Sequence, residues 1–186
     1  MTNVLALVGS LRAASTNRKL AEAAVDNAPD GVSVDLFDRI GDLPFYNEEL
    51  DVEGRVPAAA LALRAEAAEA DALVLFTPEY NGTLPAVLKN AIDWLSRPYD
   101  QAPIKDKPAA VVGTALGQYG GLWAQEEARK ALGIAGAAVL GEVKLAIPGS
   151  LARFGELHPR DDEEIVGQLV TVFEGLREAS SATVGV

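Results

Sequence analysis

The chain has 186 residues, with 27 acids against 16 lysines and arginines, one histidine and no cysteine. These numbers exclude disulfides, thiolate nucleophiles, cysteine-held zinc and iron–sulfur clusters, and the net charge of −11 repels nucleic acid and anionic membranes. The length suits one domain over residues 1–186, no apolar run approaches the ~20 residues of a membrane span, and no charged-then-apolar leader is visible, so a cytoplasmic protein is expected.

Apolar, β-rich runs alternate with alanine-rich helical patterns along the chain. Asn3 to Val8 reads as a buried strand, followed by a helix over Asn17 to Ala28 that Pro29-Asp-Gly31 closes. Val32 to Leu36 alternates as a second strand. Residues 38–54 hold two glycines, Pro44 and several acids and read as a long loop. Pro57 to Ala70 is a helix, and Ala72 to Phe76 a third strand, apolar throughout. A helix over Pro85 to Ser96 precedes a loop over Arg97 to Lys107. Pro108 to Val112 is the fourth strand and Gly121 to Leu132 the next helix. Val139 to Ile147 supplies the fifth strand, ambiguous around Gly141. Asp161 to Ala179 is the last helix, with four acids in its first turn where the dipole favours them. The tail from Ser180 is expected to fray.

Strands apolar on both faces, each followed by a helix, predict a parallel five-stranded sheet covered on both sides, a three-layer α/β fold. Ligands in such folds sit beyond the C-terminal ends of the strands, at the switch in strand order. Three loops there carry candidate chemistry.

The first, Gly9-Ser-Leu-Arg-Ala-Ala-Ser-Thr-Asn17, lacks the lysine of a P-loop and the glycines of a dinucleotide fingerprint. Its donors are Ser10, Arg12, Ser15, Thr16 and Asn17. The first 21 residues hold Arg12, Arg18 and Lys19 and no acid, an exception in an acidic chain. The stretch suits a phosphate monoester at a helix N-terminus, or an ordinary turn capped by Ser15, Thr16 or Asn17. In the second loop, Thr77 to Pro85, Pro78 stiffens the strand exit and Asn81-Gly82 signals a turn. Its free amides suit a planar heteroaromatic, or the loop is a plain connection. The third loop, Gly113 to Gly121, has four glycines in nine residues. They would let backbone approach a ligand, with Thr114 donating from its hydroxyl, or give a mobile loop.

Together these residues resemble a known family. The pattern GSLRxxSxN after the first strand and the run from Pro78 to Pro98, PEYNGTLPAVLKNAIDWLSRP, are similar to the NAD(P)H-dependent FMN reductases, as is LPFYNEEL at Leu43 to Leu50. The resemblance covers nearly the whole chain. It implies a flavodoxin-like fold and transfer of a hydride from NADPH or NADH to FMN. From FMN the electrons would pass to a small-molecule acceptor such as a quinone, free flavin, azo compound or metal oxyanion. It implies that Ser10, Arg12, Ser15, Thr16 and Asn17 hold the FMN phosphate. Pro78, Glu79, Tyr80, Asn81 and Gly82 would line the ring, with Thr114 and Gly117 approaching from the third loop. It also implies a homodimer or homotetramer, with the helix of Asn90, Asp93 and Trp94 at the interface and the loop after the second strand reaching a partner's flavin. No side chain need act as acid or base in the first half-reaction, and Glu79 is expected to have a structural or subunit-contact role. The competing reading is a flavodoxin-like electron carrier served by a separate reductase. A third option is a nucleotide-binding regulatory protein without redox turnover.

His158 is expected to have a structural or surface role, far from the three loops, and no GxSxG supports a serine hydrolase. No His or Asp cluster suggests a metal. Trp94 and Trp123 are read as helix packing.

Overall fold

In the computed structural model, residues 1–183 are described. Five parallel strands form one sheet in the order β2-β1-β3-β4-β5. They are β1 (Thr2–Val8), β2 (Val32–Leu36), β3 (Ala72–Phe76), β4 (Pro108–Thr114) and β5 (Ala138–Ile147). The helices are α1 (Thr16–Asp26), α2 (Ala58–Glu69), α3 (Ala86–Leu95), α4 (Leu122–Ile134), α5 (Ser150–Phe154) and α6 (Glu163–Thr183). This is the flavodoxin-like strand order, in which the chain switches direction across the sheet between β1 and β3.

Alternation along each strand divides the core into two layers. Val4, Ala6 and Val8 face α1 and α6, meeting Leu20, Leu169 and Phe173. Leu5 and Leu7 face the other way, toward Leu63, Leu88 and Trp94 of α2 and α3. β3 and β4 are buried at every position because both faces are covered. Among the described residues no helix is long and apolar enough to cross a membrane.

The predicted elements all form, with ends shifted by a few residues. Three short pieces were not predicted: α5, a 3-10 turn at Ile40–Asp42 inside the long loop after β2, and a 3-10 turn at Pro159–Asp161. The last helix begins later than predicted, after a separate 3-10 turn at Pro159–Asp161. It also runs through Ser180 to Thr183, so the expected fraying from Ser180 is corrected there. Ser180 Oγ donates to the Leu176 carbonyl at 2.8 Å inside the helix. Residues 184–186 of that expectation lie outside the described part.

The ambiguity at Gly141 has a physical cause. Ala109 pairs with Val139 but Val111 with Lys144, so β5 carries a bulge that contains Gly141. Arg129 of α4 covers the irregularity, donating to the Val111 carbonyl at 2.6 Å, and Gln125 donates to the Leu145 carbonyl at 3.1 Å.

The crossing of β4 by the β3 exit dictates one glycine. A Cβ on Gly113 would sit 2.1 Å from the carbonyl oxygen of Thr77. Gly113→Ala is therefore expected to lower stability by about 2–3 kcal/mol, the usual scale for overpacking. The measurement is the urea midpoint, and an unchanged midpoint would show that the two backbones can separate freely.

Candidate functional site

The loops after β1, β3 and β4 meet around a cavity of about 430 Å³, within the roughly 300–1,000 Å³ of cofactor sites. Of the twelve residues singled out in the sequence, ten line it; Asn81 and Gly82 do not.

On the β1 side, Ser15 caps α1, its Oγ accepting from the Arg18 amide at 3.2 Å. The amides of Thr16 and Asn17, first in the helix, have no acceptor among the described residues. They add to the positive end of the helix dipole. Arg12 is exposed at the cavity edge with no described partner. Arg18 differs from Arg12. Glu22, one turn on along α1, lies 3.1 Å from its guanidinium, and the fold brings Asp38 to 2.5 Å.

Two expected donors turn inward. Asn17 is buried, donates from Nδ2 to the Thr114 carbonyl at 2.9 Å and accepts from the Thr114 amide at 3.0 Å. Thr114 is also buried, and its hydroxyl donates to the Ile147 carbonyl at 2.9 Å. The expectation that Thr114 offers its proton to a ligand is corrected: the proton is committed to β5. Both side chains fix the loops that form the walls.

On the β3 side, Glu79 Oε2 accepts from the Ala124 amide at 3.3 Å, capping the first turn of α4, a structural use. Tyr80 and Thr83 exchange backbone hydrogen bonds at 3.0 and 3.1 Å around Asn81 and Gly82, both at positive φ, a type I′ turn. The hairpin carries Asn81 and Gly82 beyond the cavity wall. Tyr80 is half-exposed, its hydroxyl 3.5 Å from Ser10 Oγ.

The glycines of the third loop serve a different end from the one expected. Gly113 and Gly120 admit the protein's own backbone: a Cβ on Gly120 would lie 2.6 Å from Ala146 and Ile147. Only Gly117 both faces open space and lines the cavity. Ala115, Leu116 and Ser150 also line it and were missed. Ser150 arrives from α5 and donates its amide to the Ala115 carbonyl at 3.0 Å. No pattern in the sequence marks a five-residue helix as part of a site built mainly by earlier loops.

The loop after β2 is pinned to α3. Asn90 donates to the Pro44 carbonyl at 3.0 Å and accepts from the Tyr46 amide at 2.8 Å; Trp94 Nε1 donates to the same Pro44 carbonyl at 2.8 Å. Asn90 and Trp94 are buried within the chain, Trp94 as the packing residue expected, and Asp93 reaches the outer face of the helix, paired with Lys89 at 2.6 Å. Phe45, between the two pinned residues, is 79% exposed. Arg64 completes the anchor with two bonds to Asp51, at 2.7 and 2.8 Å, and a third to the Trp94 carbonyl at 2.9 Å.

His158 accepts from the Arg160 amide at 3.2 Å and lies 3.6 Å from Glu22 on α1, lining neither the cavity nor any seryl nucleophile. Among the described residues no group of three or more His, Cys, Asp or Glu side chains could hold a metal ion.

The strand order and a cavity at its switch point define a flavodoxin-like α/β protein. The sequence model of the NADPH-dependent FMN reductases matches residues 2–152. The chain is 44% identical to a 2-hydroxy-1,4-benzoquinone reductase of a Burkholderia species over 126 residues, 68% of this chain and 67% of that one. It is 43% identical to an NAD(P)H-dependent FMN reductase of Pseudomonas aeruginosa over 129 residues, 69% of this chain and 68% of that one. Its structure resembles the flavoenzyme NAD(P)H:(acceptor) oxidoreductase FerB of Paracoccus denitrificans at 30% identity and a TM-score of 0.80, covering 96% and 99% of the two chains. The chain belongs to the NADPH-dependent FMN reductase family. It is an NAD(P)H-dependent oxidoreductase with FMN as cofactor.

The anchor of the β2 loop has a pH signature. The Arg64 guanidinium holds the Asp51 carboxyl below its ordinary value of 3.8, against an opposing push from burial. A lowered folded-state pKa means that the stabilisation is present above the unfolded value and lost as pH falls through the folded one. Both side chains are nearly buried, at 13% and 9% exposure. Arg64→Ala, which strands the carboxylate, is expected to cost about 3–5 kcal/mol at pH 7. The gap to wild type should narrow below about pH 4. Melting curves of the two proteins at pH 7 and pH 3 check both parts.

Proposed function

We propose that the cavity is the FMN site. The reading rests on one observation: Arg12, a cation with no partner among the described residues in a chain of net charge −11, stands beside the open N-terminus of α1 at the mouth of a cavity at the switch point. A phosphate dianion fits this donor set, because charge-assisted hydrogen bonds need donors not already committed. Ser10, Arg12, the Ser15 hydroxyl and the Thr16 hydroxyl and amide would hold the phosphate, and Asn17 would contribute its backbone amide. Pro78, Tyr80, Leu116 and Gly117 would flank the ring system. Glu79 and Thr114 would keep the ring walls in place through α4 and β5, and the turn at Asn81-Gly82 would fix the hairpin tip.

When bound, FMN supplies the two-electron chemistry between NAD(P)H and the acceptor. The protein's part is positional. The buried clamp of Asn17 on Thr114 sets the width of the slot, and Pro78 and Tyr80 present a flat, largely apolar wall. Among the described residues no histidine lines the cavity, and its one carboxylate, Glu79, is tied through Oε2 to the Ala124 amide, so proton transfer to the acceptor would draw on solvent. One cavity used in turn by donor and acceptor predicts ping-pong kinetics. The acceptor we favour is a quinone, the substrate named for the Burkholderia relative. A passive carrier is the weaker reading in a family of reductases. We take residues 1–186 to form one cofactor domain, since both core layers pack on a single sheet. A reductase drawing on NAD(P)H would work in the cytoplasm, where that nucleotide is kept reduced.

We further propose a homodimer, with two such pairs as a tetramer. A groove of about 430 Å³ runs between α3 and α4, with Ile92 and Ile134 on its walls and Lys89, Asp93, Glu127 and Lys130 at its rim. Ile134 is 79% exposed, and Phe45 projects from a rigid loop. A second copy would cover both. Ile134→Arg is expected to give a monomer in light scattering; a monomeric wild type would remove the proposal.

The purified protein loaded with FMN should absorb near 450 nm and bleach on NADPH addition without oxygen. Arg12→Ala should weaken FMN binding by about 1.5–3 kcal/mol, the value of a charge-assisted bond. An unchanged affinity in titration would show that Arg12 is no phosphate ligand.

A further inference from the structure

A second cavity, about 350 Å³, lies on the other side of the loop after β1. It shares Ser10 and Arg12 with the first, so the two spaces adjoin. Val8, Leu11, Phe37 and Ile40 give it apolar walls. Leu11 leans onto Gly41, where a Cβ would lie 3.1 Å from its Cδ2, which brings the β1 and β2 loops together.

The polar lining carries both signs. Arg18 lies between Glu22 and Asp38, while Arg12, shared with the first cavity, is taken by the FMN phosphate. The Asp38 side chain is 64% exposed and bonds Arg18 through Oδ1, which leaves Oδ2 free to accept. Asp38 follows the C-terminal end of β2, next to β1. A ligand matching this lining has a flat apolar part, hydroxyl donors and an anionic group, which describes a nucleoside phosphate. In Rossmann dinucleotide folds, whose glycine fingerprint this chain lacks, an acid near this strand end accepts from ribose hydroxyls and a nearby arginine accommodates a 2′-phosphate, and the same chemistry is available here.

We propose that this second cavity takes the adenosine-phosphate half of the nicotinamide nucleotide and that the Arg18–Asp38 pair sets the choice between NADPH and NADH. Asp38 accepts from the ribose hydroxyls of NADH. With NADPH, Arg18 turns from Asp38 to the 2′-phosphate. The paired charges make the site tolerant of both donors, because each ligand finds one partner of the right sign. The proposal rests on the flavin-reductase reading and adds to it the donor's second subsite.

The test is steady-state kinetics of the FMN-loaded protein with each donor, together with calorimetric titration of 2′,5′-ADP and 5′-AMP. Arg18→Met should lower the NADPH-to-NADH ratio of kcat/KM about tenfold, and Asp38→Ala should raise it about tenfold, the scale of one charge-assisted contact. Binding of 2′,5′-ADP should weaken in Arg18→Met, whereas 5′-AMP binding should weaken in Asp38→Ala. FMN affinity, followed by absorbance, should stay within about twofold in both variants. A ratio that ignores both substitutions, or moves the same way in both, overturns the proposal while leaving the flavin site intact. Wild-type protein that takes up no FMN overturns both readings.

Discussion

The reciprocal pairing of the Asn17 side chain with the Thr114 backbone holds the site together. The two residues are 97 positions apart, buried, and joined by bonds of 2.9 and 3.0 Å. An asparagine amide here imitates a strand neighbour, offering a donor and an acceptor to one peptide unit. It ties the start of α1 to the end of β4, the two elements whose loops form opposite walls of the cavity. Losing it would leave a buried amide and a buried carbonyl unpaired, each costly in the absence of water. Thr114 carries the tie onward through its hydroxyl to Ile147, so β5 and α5 are held to the same point. The ligand-facing groups can then be few and exposed, because their positions are set from behind.

A second tie joins two further motifs of the sequence. Leu43 to Leu50 and the helix of Asn90 and Trp94 form one packed unit, in which Asn90 does for the β2 loop what Asn17 does for β4. The indole of Trp94 serves twice, as core and as a donor to Pro44, and Arg64 stacks on its ring at 5.4 Å while gripping Asp51. The result is a rigid loop that presents Phe45 outward. Rigid display of an exposed aromatic lowers the entropy lost when it meets a partner.

Charge is distributed for function as much as for solubility. The chain is acidic overall, yet the end of the sheet where β1 and β2 stop holds Arg12 free and Arg18 balanced. An uncommitted guanidinium in an acidic protein gives a local minimum for an anion where the mean field opposes it.

The sequence by itself determined the strand and helix order, the parallel sheet and the gathering of three loops at one end, because burial on both faces and glycine–proline punctuation are local properties. It also marked ten of the cavity's lining residues. Only the tertiary structure decided which of those residues face a ligand. Asn17, Glu79 and Thr114 are ordinary polar loop residues in one dimension, and become frame residues because their partners Thr114, Ala124 and Ile147 lie far along the chain. Gly113 and Gly120 differ from expectation for the same reason, since the backbones that crowd them belong to the exit from β3 and to β5. Asp38 looked like one acid among many in a loop. Its place beside Arg18 follows from β2 pairing with β1, a neighbour relation that no local pattern encodes.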